Sequence, residues 1–484
     1  MILNYIKKAK AAQQAIDHYT QEEIDKVCIA VGWEVYNDEN ILKLATSAVE
    51  ETGMGNIPDK VAKHKNKVLG VLKDLKDAKS VGLIEEDFDK KIKKYAKPVG
   101  VVGALTPVTN PTATPASNGI TILKGKNAVI FAPHPKAKLS TKMAVDFMRE
   151  GLRKVGAPLD LIQVIEEPSL ELTGELMKQV NVVLATGGGP MVKAAYSSGT
   201  PAYGVGPGNS VQIIAEDCDV LDAAKKVFTS KSFDHATSCS SENSVIVHES
   251  IYDRFVGELI RLGSYFVKNE RKVLEEYMWI QNAKGYRSIN PAIIAQSAKT
   301  IADSAGIKVS EEIKVLLVEG ASDIEKDFFS QEKLSPVLTV FTYREFEEGY
   351  KILERLTNNY GTGHSCGIHT FNQEYIEKIG SRMKTSRVMV NQAQAAGNGG
   401  AFFNGMPSTV SLGCGSWGGN ITSENITFKH FINVTWVSEY FTPKRPSDEE
   451  IFGDYLREVK AWSSTSIRQK QSLVNIRSPH QRVS

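Results

Sequence analysis

From residue 100 onward the chain repeats one pattern: a short apolar run, a turn, then a helical segment. GVVGALT (100–106), NAVIFAP (127–133), LIQVIEE (161–167), NVVLATG (181–187) and SVQIIAE (210–216) are the first five runs. Stretches such as 169–180, with apolar residues at helical spacing, separate them. A run that is apolar at nearly every position is a strand buried on both faces. A helix after each strand carries the chain back for the next one in parallel. The pattern therefore predicts parallel sheet covered by helices on both sides. It resumes after residue 240 with SVIVHE (244–249), the long amphipathic stretch SIYDRFVGELIRLGSYF, and then IKVLLVEG, PVLTVFTY, CGIHTF and RVMVN. This reads as a second α/β unit, with the boundary near residues 232–240. The first 80 residues read as helices, with charged residues filling the gaps between apolar positions. The charge-rich segment 83–98 reads as an exposed strand or hairpin.

A chain of 484 residues suggests about three structural units. With 58 basic and 56 acidic side chains the net charge is +2, which gives no general reason to expect a nucleic-acid partner. The composition, 42% hydrophobic and 24% charged, excludes disorder over the whole chain, collagen and coiled-coil rods. The five cysteines are widely spaced and include no CxxC pair, so neither a disulfide framework nor a zinc ribbon is expected, and no metal site is. The N-terminus has no apolar core region of a secretory signal, and no window approaches 18 apolar residues. The expected location is cytoplasmic. Residues 447–460 read as a capped amphipathic helix, with Ile451, Phe452, Tyr455, Leu456 and Val459 on one stripe. The polar, basic tail from about Ser464 reads as mobile.

Cys239 stands in FDHATSCSSENSVIVHE, just before a strand and near the unit boundary. Small polar neighbours leave its backbone accessible, as a nucleophile between two α/β units requires, although a cysteine taken alone is more often a structural thiol. ATGGGPMV follows a strand and opens a helix, so it aims backbone N–H groups at an anion; a tight turn is the alternative. The standard GxGxxG fingerprint is absent. GVGPGN (204–209) and LGCGSWGGN (412–420) imply close approach by a ligand or another segment. Asn110 ends the first strand, where an amide can donate to an oxygen in a cleft. It is equally a common turn residue before proline. His364, in GTGHSCG, is a candidate acid–base group or an ordinary polar residue.

Together TPVTNPT, NAVIFAPHPKAK, LATGGGPMVKAAYSSGTPAYGVGPGN, SCSSENSVIV, EKLSPVLTV, GTGHSC and STVSLGCGSWGGN resemble one family, the CoA-acylating aldehyde dehydrogenases. The resemblance runs from about residue 15 to 440. NPTATPASNGI and ATSCSSENS are similar to the members that act on sulfoacetaldehyde. The aldehyde dehydrogenase half of bifunctional aldehyde–alcohol dehydrogenases is the next most similar. The resemblance implies an α/β fold with a Rossmann-like cofactor domain (1–82 and 99–235), a catalytic α/β domain (236–420) and a small oligomerisation element (83–98 and 421–441). Residues 442–484 would follow as a C-terminal helix and tail. A homodimer or homotetramer built by sheet extension is implied. Docking of the C-terminal helix inside a protein-shelled microcompartment stands beside simple packing on the enzyme's own surface.

The same resemblance implies roles. Cys239 matches the nucleophile that forms a thioester, and Asn110 matches the oxyanion donor. Glu332, with Leu334 nearby, matches the carboxylate holding the nicotinamide ribose. Thr106, Pro107, Thr186, Gly187, Gly188 and Gly206 would line the dinucleotide site, with His134, Pro135 and Lys136 near the adenosine. Lys136 and Lys138 would tolerate a 2′-phosphate, so NAD and NADP both remain open. Hydrolytic relatives carry a water-activating glutamate where this chain has Val205. Without that base, loss of general-base catalysis is worth about 10²–10⁴-fold, and the thiol of coenzyme A takes the acyl group instead. The expected product is an acyl-CoA. His364 would move a proton to or from the CoA thiol. NGGAFFNGMPST (398–409) would border the aldehyde channel. A hydrolytic enzyme using another base is the alternative.

Overall fold

The computed structural model describes residues 1–282 and 285–460. The basic tail expected from about Ser464 lies outside the described residues. Four helices come first: α1 (Ile2–Ala15), α2 (Gln21–Glu34), α3 (Asp38–Thr52) and α4 (Ile57–Leu75). Local chemistry sets their ends. Thr20 and Glu23 form a capping box on α2, and Asn37 caps α3, which closes on Gly53 in the left-handed region. Asn56 caps α4, with Pro58 in its first turn. The inward stripe of α4 is unusual, because Lys60 and His64 share it with Val68, Val71 and Leu75.

Strands β1 (Gly82–Asp87), β2 (Ile92–Pro98) and β17 (Ile432–Ser438) form a three-stranded sheet in the order β1-β2-β17. Segment 83–98 is thus a hairpin joined by a late strand. A five-stranded parallel sheet holds β3 (Val101–Thr106), β4 (Ala128–Pro133), β5 (Ile162–Val164), β6 (Val182–Thr186) and β7 (Ala202–Val205). Its order, β5-β4-β3-β6-β7, runs outward both ways from the first strand, as in a dinucleotide-binding half. Helices α5 (Ala113–Lys124), α6 (Lys138–Lys154), α7 (Leu170–Gln179) and α8 (Gly189–Tyr196) connect these strands. β3 and β4 are buried at every position, as the unbroken apolar runs require.

The second parallel sheet has seven strands in the order β10-β13-β14-β9-β8-β15-β16. They are β8 (Val211–Ile214), β9 (Ser244–His248), β10 (Ser264–Phe266), β13 (Val315–Glu319), β14 (Val337–Tyr343), β15 (Cys366–His369) and β16 (Val388–Val390). A separate hairpin of β11 (Trp279–Gln281) and β12 (Arg287–Ile289) lies between β10 and β13 in the chain. Helix α9 (Val220–Ser232) follows β8.

Two readings change. SVQIIAE pairs with β9 and β15 in the second sheet, so sheet membership changes after Val205 rather than near residues 232–240. The fifth strand of the first sheet is AYGV, hidden by its central glycine and the glycine-rich loop that follows. GSYF is not the tail of a long helix. Gly263, at φ 110°, breaks the chain out of helical geometry, and Ser264–Phe266 becomes the edge strand β10. By contact density, residues 1–85 and 94–435 form one unit, and residues 86–93 with those from 436 onward form a smaller one.

Candidate active site

A cavity of about 970 Å³ opens where the strands of the first sheet end. Thr106 at the end of β3, with Pro107 and Asn110 after it, stands in its wall, and His134 and Pro135 follow β4. Thr186 ends β6 and Gly187 and Gly188 follow it, and Val205 ends β7 with Gly206 next. Ligands of open parallel sheets bind at this carboxyl edge, where loops diverge and helices begin. Cys239, Glu332 and Leu334 complete the wall, together with Gly399–Phe403, Ser408 and Thr409 of the glycine- and Asn-rich segment. Three expected residues are not on it. Lys136 is exposed outside the cavity, and the Lys138 ammonium is engaged by Glu167 at 2.5 Å. His364 is fully buried behind the lining.

Cys239 Sγ lies 3.2 Å from His364 Nε2, and His364 Nδ1 lies 2.9 Å from Ser365 Oγ. Burial pushes the thiol up to about 12, and the nearby Glu332 adds to the shift. Burial also pushes the imidazole down to about 3, helped by the Arg387 guanidinium. Both groups are therefore neutral at rest, within hydrogen-bond reach of each other. The GVGPGN loop runs against this pair. A Cβ on Gly208 would stand 2.4 Å from the Cys239 carbonyl oxygen and 3.1 Å from His364 Nε2, so only glycine fits.

The chain approaches Cys239 through a strained turn. Asp234, His235 and Ala236 have φ of 49°, 50° and 57°, a conformation costing of order 1–3 kcal/mol per residue. The fully buried Asp234 carboxylate secures it. It accepts from the Asn56 N–H (3.0 Å), the Lys60 and Lys63 ammoniums (3.2 and 2.5 Å) and the Thr237 hydroxyl (2.7 Å). Burial alone would raise this carboxyl, but the two lysines outweigh it and hold it below its usual range. Lys63 also donates to Thr237 Oγ1 at 2.6 Å and to Asn110 Oδ1 at 3.0 Å. With its oxygen held by a cation, the Asn110 amide has only its NH₂ left to offer the cavity.

Glu332 is the one acidic residue among those lining the cavity. Burial pushes its carboxyl up to about 8, against the opposing pull of the Gly208 N–H, Lys231 and Lys333. Arg387, 3% exposed, donates to the carbonyls of His364 (2.9 Å) and Gly413 (2.7 Å) and to Asn425 Oδ1 (2.7 Å). It ties the His364 strand to the 412–420 loop. Sequence reasoning missed Lys63, Lys67, Asp234 and Arg387. A signal existed for α4, where lysines stand in and beside the apolar stripe. None existed for Arg387, whose partners are backbone carbonyls and one side-chain amide oxygen, all distant in the chain.

A dinucleotide fits these residues. α8 begins at the cavity with glycines, and a Cβ at Gly189 would meet nothing within 4 Å. That open helix start presents backbone N–H groups to a phosphate without steric obstruction. Val205, beside it, is 4% exposed and apolar.

The model of the aldehyde dehydrogenase family matches residues 2–425. The chain is 58% identical to an acylating sulfoacetaldehyde dehydrogenase of Bilophila wadsworthia, over 92% of this chain and 97% of that protein. It is 44% identical to an acetylating succinate-semialdehyde dehydrogenase of Clostridium kluyveri, over 93% and 99%. Among solved structures it superposes on an acetylating aldehyde dehydrogenase of Geobacillus thermoglucosidasius with a TM-score of 0.88. Identity there is 37%, covering 92% of this chain and 97% of that one.

Proposed function

The chain belongs to the aldehyde dehydrogenase family, and from that membership we propose that it is a CoA-acylating aldehyde dehydrogenase. It oxidises a short aldehyde with NAD or NADP and coenzyme A to an acyl-CoA, and sulfoacetaldehyde is the favoured substrate. The observation that carries this reading is the make-up of the wall at Cys239. The Cys239 thiol and the Asn110 amide line one cavity with an apolar Val205, where hydrolytic enzymes need a carboxylate, and a neutral imidazole lies 3.2 Å behind the thiol.

In the mechanism we infer, Cys239 gives up its proton to solvent by way of His364 Nε2, 3.2 Å away, as the sulfur attacks the aldehyde carbon. The carbonyl oxygen becomes an oxyanion, received by the Asn110 NH₂ and the Cys239 backbone N–H. Such donors stabilise charge most where water is excluded. A bound dinucleotide would supply the hydride acceptor, and the α8 N-terminus would hold its phosphates and Glu332 its ribose. Collapse of the tetrahedral adduct leaves a thioester on Cys239. The CoA thiol then attacks that thioester, and its proton passes by way of His364 to the departing Cys239 sulfur, which returns to the resting thiol. Glu332 is a poor base for water in this cycle, because its raised carboxyl holds its own proton near neutral pH.

We further infer a homo-oligomer built through the edge strand β17, whose Val434, Trp436 and Val437 are 40–60% exposed. The apolar stripe of residues 448–460 is likewise exposed, at 37–65%. We infer docking of this stripe to another surface, such as a microcompartment interior, with packing on the enzyme itself as the alternative. Among the described residues no helix is long and apolar enough to cross a membrane.

Product analysis tests the central reading. With sulfoacetaldehyde, NAD or NADP, and CoA, the expected product is acyl-CoA, and omitting CoA lowers the rate by about 10²-fold or more. Cys239→Ala is expected to abolish aldehyde-dependent NAD(P)H formation while the dinucleotide still binds. Free acid formed at full rate without CoA, or turnover surviving in Cys239→Ala, overturns the reading.

A further inference from the structure

Helix α4 sends three lysines toward one side, Lys60, Lys63 and Lys67, spaced three and then four residues apart. The first two share the Asp234 carboxylate. Lys67, one turn further on, makes no ion pair among the described residues. Its ammonium donates only to the carbonyls of Gly399 (2.8 Å) and Gly400 (3.4 Å). An ammonium carries three N–H donors, so at least one stays available. The fit is close, since a Cβ on Gly399 would stand 2.6 Å from Lys67 Nζ.

Lys67 also lines the cavity that holds Asn110 and Cys239. The charged or titratable groups felt at its ammonium are Lys63 and the Cys239 thiol, and neither is a carboxylate. Burial, with Lys63 second, brings the ammonium down to about 8, so it carries its charge at neutral pH. A cation drawn out of water beside another cation destabilises the folded chain, and an apolar side chain of equal length would avoid that cost. The arrangement makes sense when an anion arrives. Lys63 fixes Asn110 at one turn and Lys67 stands at the next, about 6 Å along the axis. That is a short span, suited to a small aldehyde that carries its charge a few bonds from its carbonyl.

We propose that Lys67 sets substrate choice in this cavity, its ammonium receiving the sulfonate or carboxylate of a short anionic aldehyde whose carbonyl carbon stands at Cys239. This inference rests on the acylating reading above and adds the substrate feature that the same site selects. It also assigns the inner lysine positions of α4 two jobs: Lys63 orients the oxyanion donor, and Lys67 anchors the far end of the substrate.

The test compares kcat/KM for sulfoacetaldehyde and succinate semialdehyde with that for acetaldehyde, in wild type, Lys67→Met and Lys67→Arg. All assays contain CoA and dinucleotide. The expected result is that Lys67→Met lowers the anionic-to-neutral ratio by about ten- to a hundredfold, the worth of a hydrogen bond to a charged group. Lys67→Arg keeps most of the ratio. A ratio is read because a variant that folds poorly loses both activities together. Ethanesulfonate, a non-reactive sulfonate, should inhibit wild type competitively against the aldehyde and fail to inhibit Lys67→Met. An unchanged ratio overturns the proposal, as does a defect seen only in the KM for CoA. Wild type that forms acetyl-CoA but discriminates against both anionic aldehydes overturns this inference and leaves the acylating reading intact. Formation of free acid in place of acyl-CoA, with the Lys67 ratio effect present, does the reverse.

Discussion

The thiol of Cys239 and the imidazole of His364 sit 3.2 Å apart, with their protonation equilibria pushed in opposite directions. Burial lifts the thiol to about 12 and drops the imidazole to about 3. The resting pair is consequently uncharged, a state that protects the sulfur from adventitious electrophiles. The sign is checkable. The raised pKa depletes the thiolate at any pH below it, so alkylation of Cys239 by iodoacetamide in the ligand-free enzyme should be slow at pH 7 and still climbing above pH 9. An ordinary thiol, with a pKa of about 8.5, would have levelled off by then. A labelling midpoint near 8 would show that the empty site does not raise the thiol. At Asn110 the sequence named the amide, and the structure supplies the Lys63 contact that decides which end of it faces the cavity.

Among the elements, α4 and the turn at residues 233–237 act together. The turn holds three consecutive residues at positive φ, and the Asp234 carboxylate bonded to Asn56, Lys60, Lys63 and Thr237 keeps it there. Replacing Asp234 with Asn removes the charge that both lysines share and leaves buried cations unpaired. We expect a loss of roughly 3–5 kcal/mol in urea unfolding, the usual result of removing one partner of a buried pair. We also expect a lower kcat, since Lys63 no longer has its anchor. Stability within about 1 kcal/mol of wild type would mean that the turn is held by something else. Helicity over the first 80 residues was legible from apolar spacing. The inward face of α4 was not, because a lysine in a helix is normally read as solvent-facing, and nothing local announces the carboxylate 174 residues away that receives it.

Across the whole molecule, two parallel sheets supply the site. The order β5-β4-β3-β6-β7 gathers four strand ends around one cavity, and the second sheet's strands flank the segment that carries Cys239. Assembly belongs to this scale too. β17 ends the three-stranded sheet with backbone groups and apolar side chains exposed, the condition under which sheets extend between chains. Lysines on such an edge oppose pairing. The double variant Val434→Lys, Trp436→Lys is therefore expected to sediment as a smaller species than wild type. An unchanged sedimentation coefficient would overturn assembly through β17.

The sequence by itself determined the alternation of buried strands and helices, the hairpin at 83–98, the cysteine and the glycine-dense loops. These depend on neighbours in the chain, on burial period and on backbone freedom, all of which are local. Only the tertiary structure decided that SVQIIAE joins the second sheet, that AYGV closes the first, and that His364 meets Cys239 across 125 residues. It also decided that Lys63 and Lys67 turn inward. An apolar run specifies that a strand will be buried but not which strand it will pair with. A charged side chain likewise reveals nothing of its partner until the fold has brought the two together.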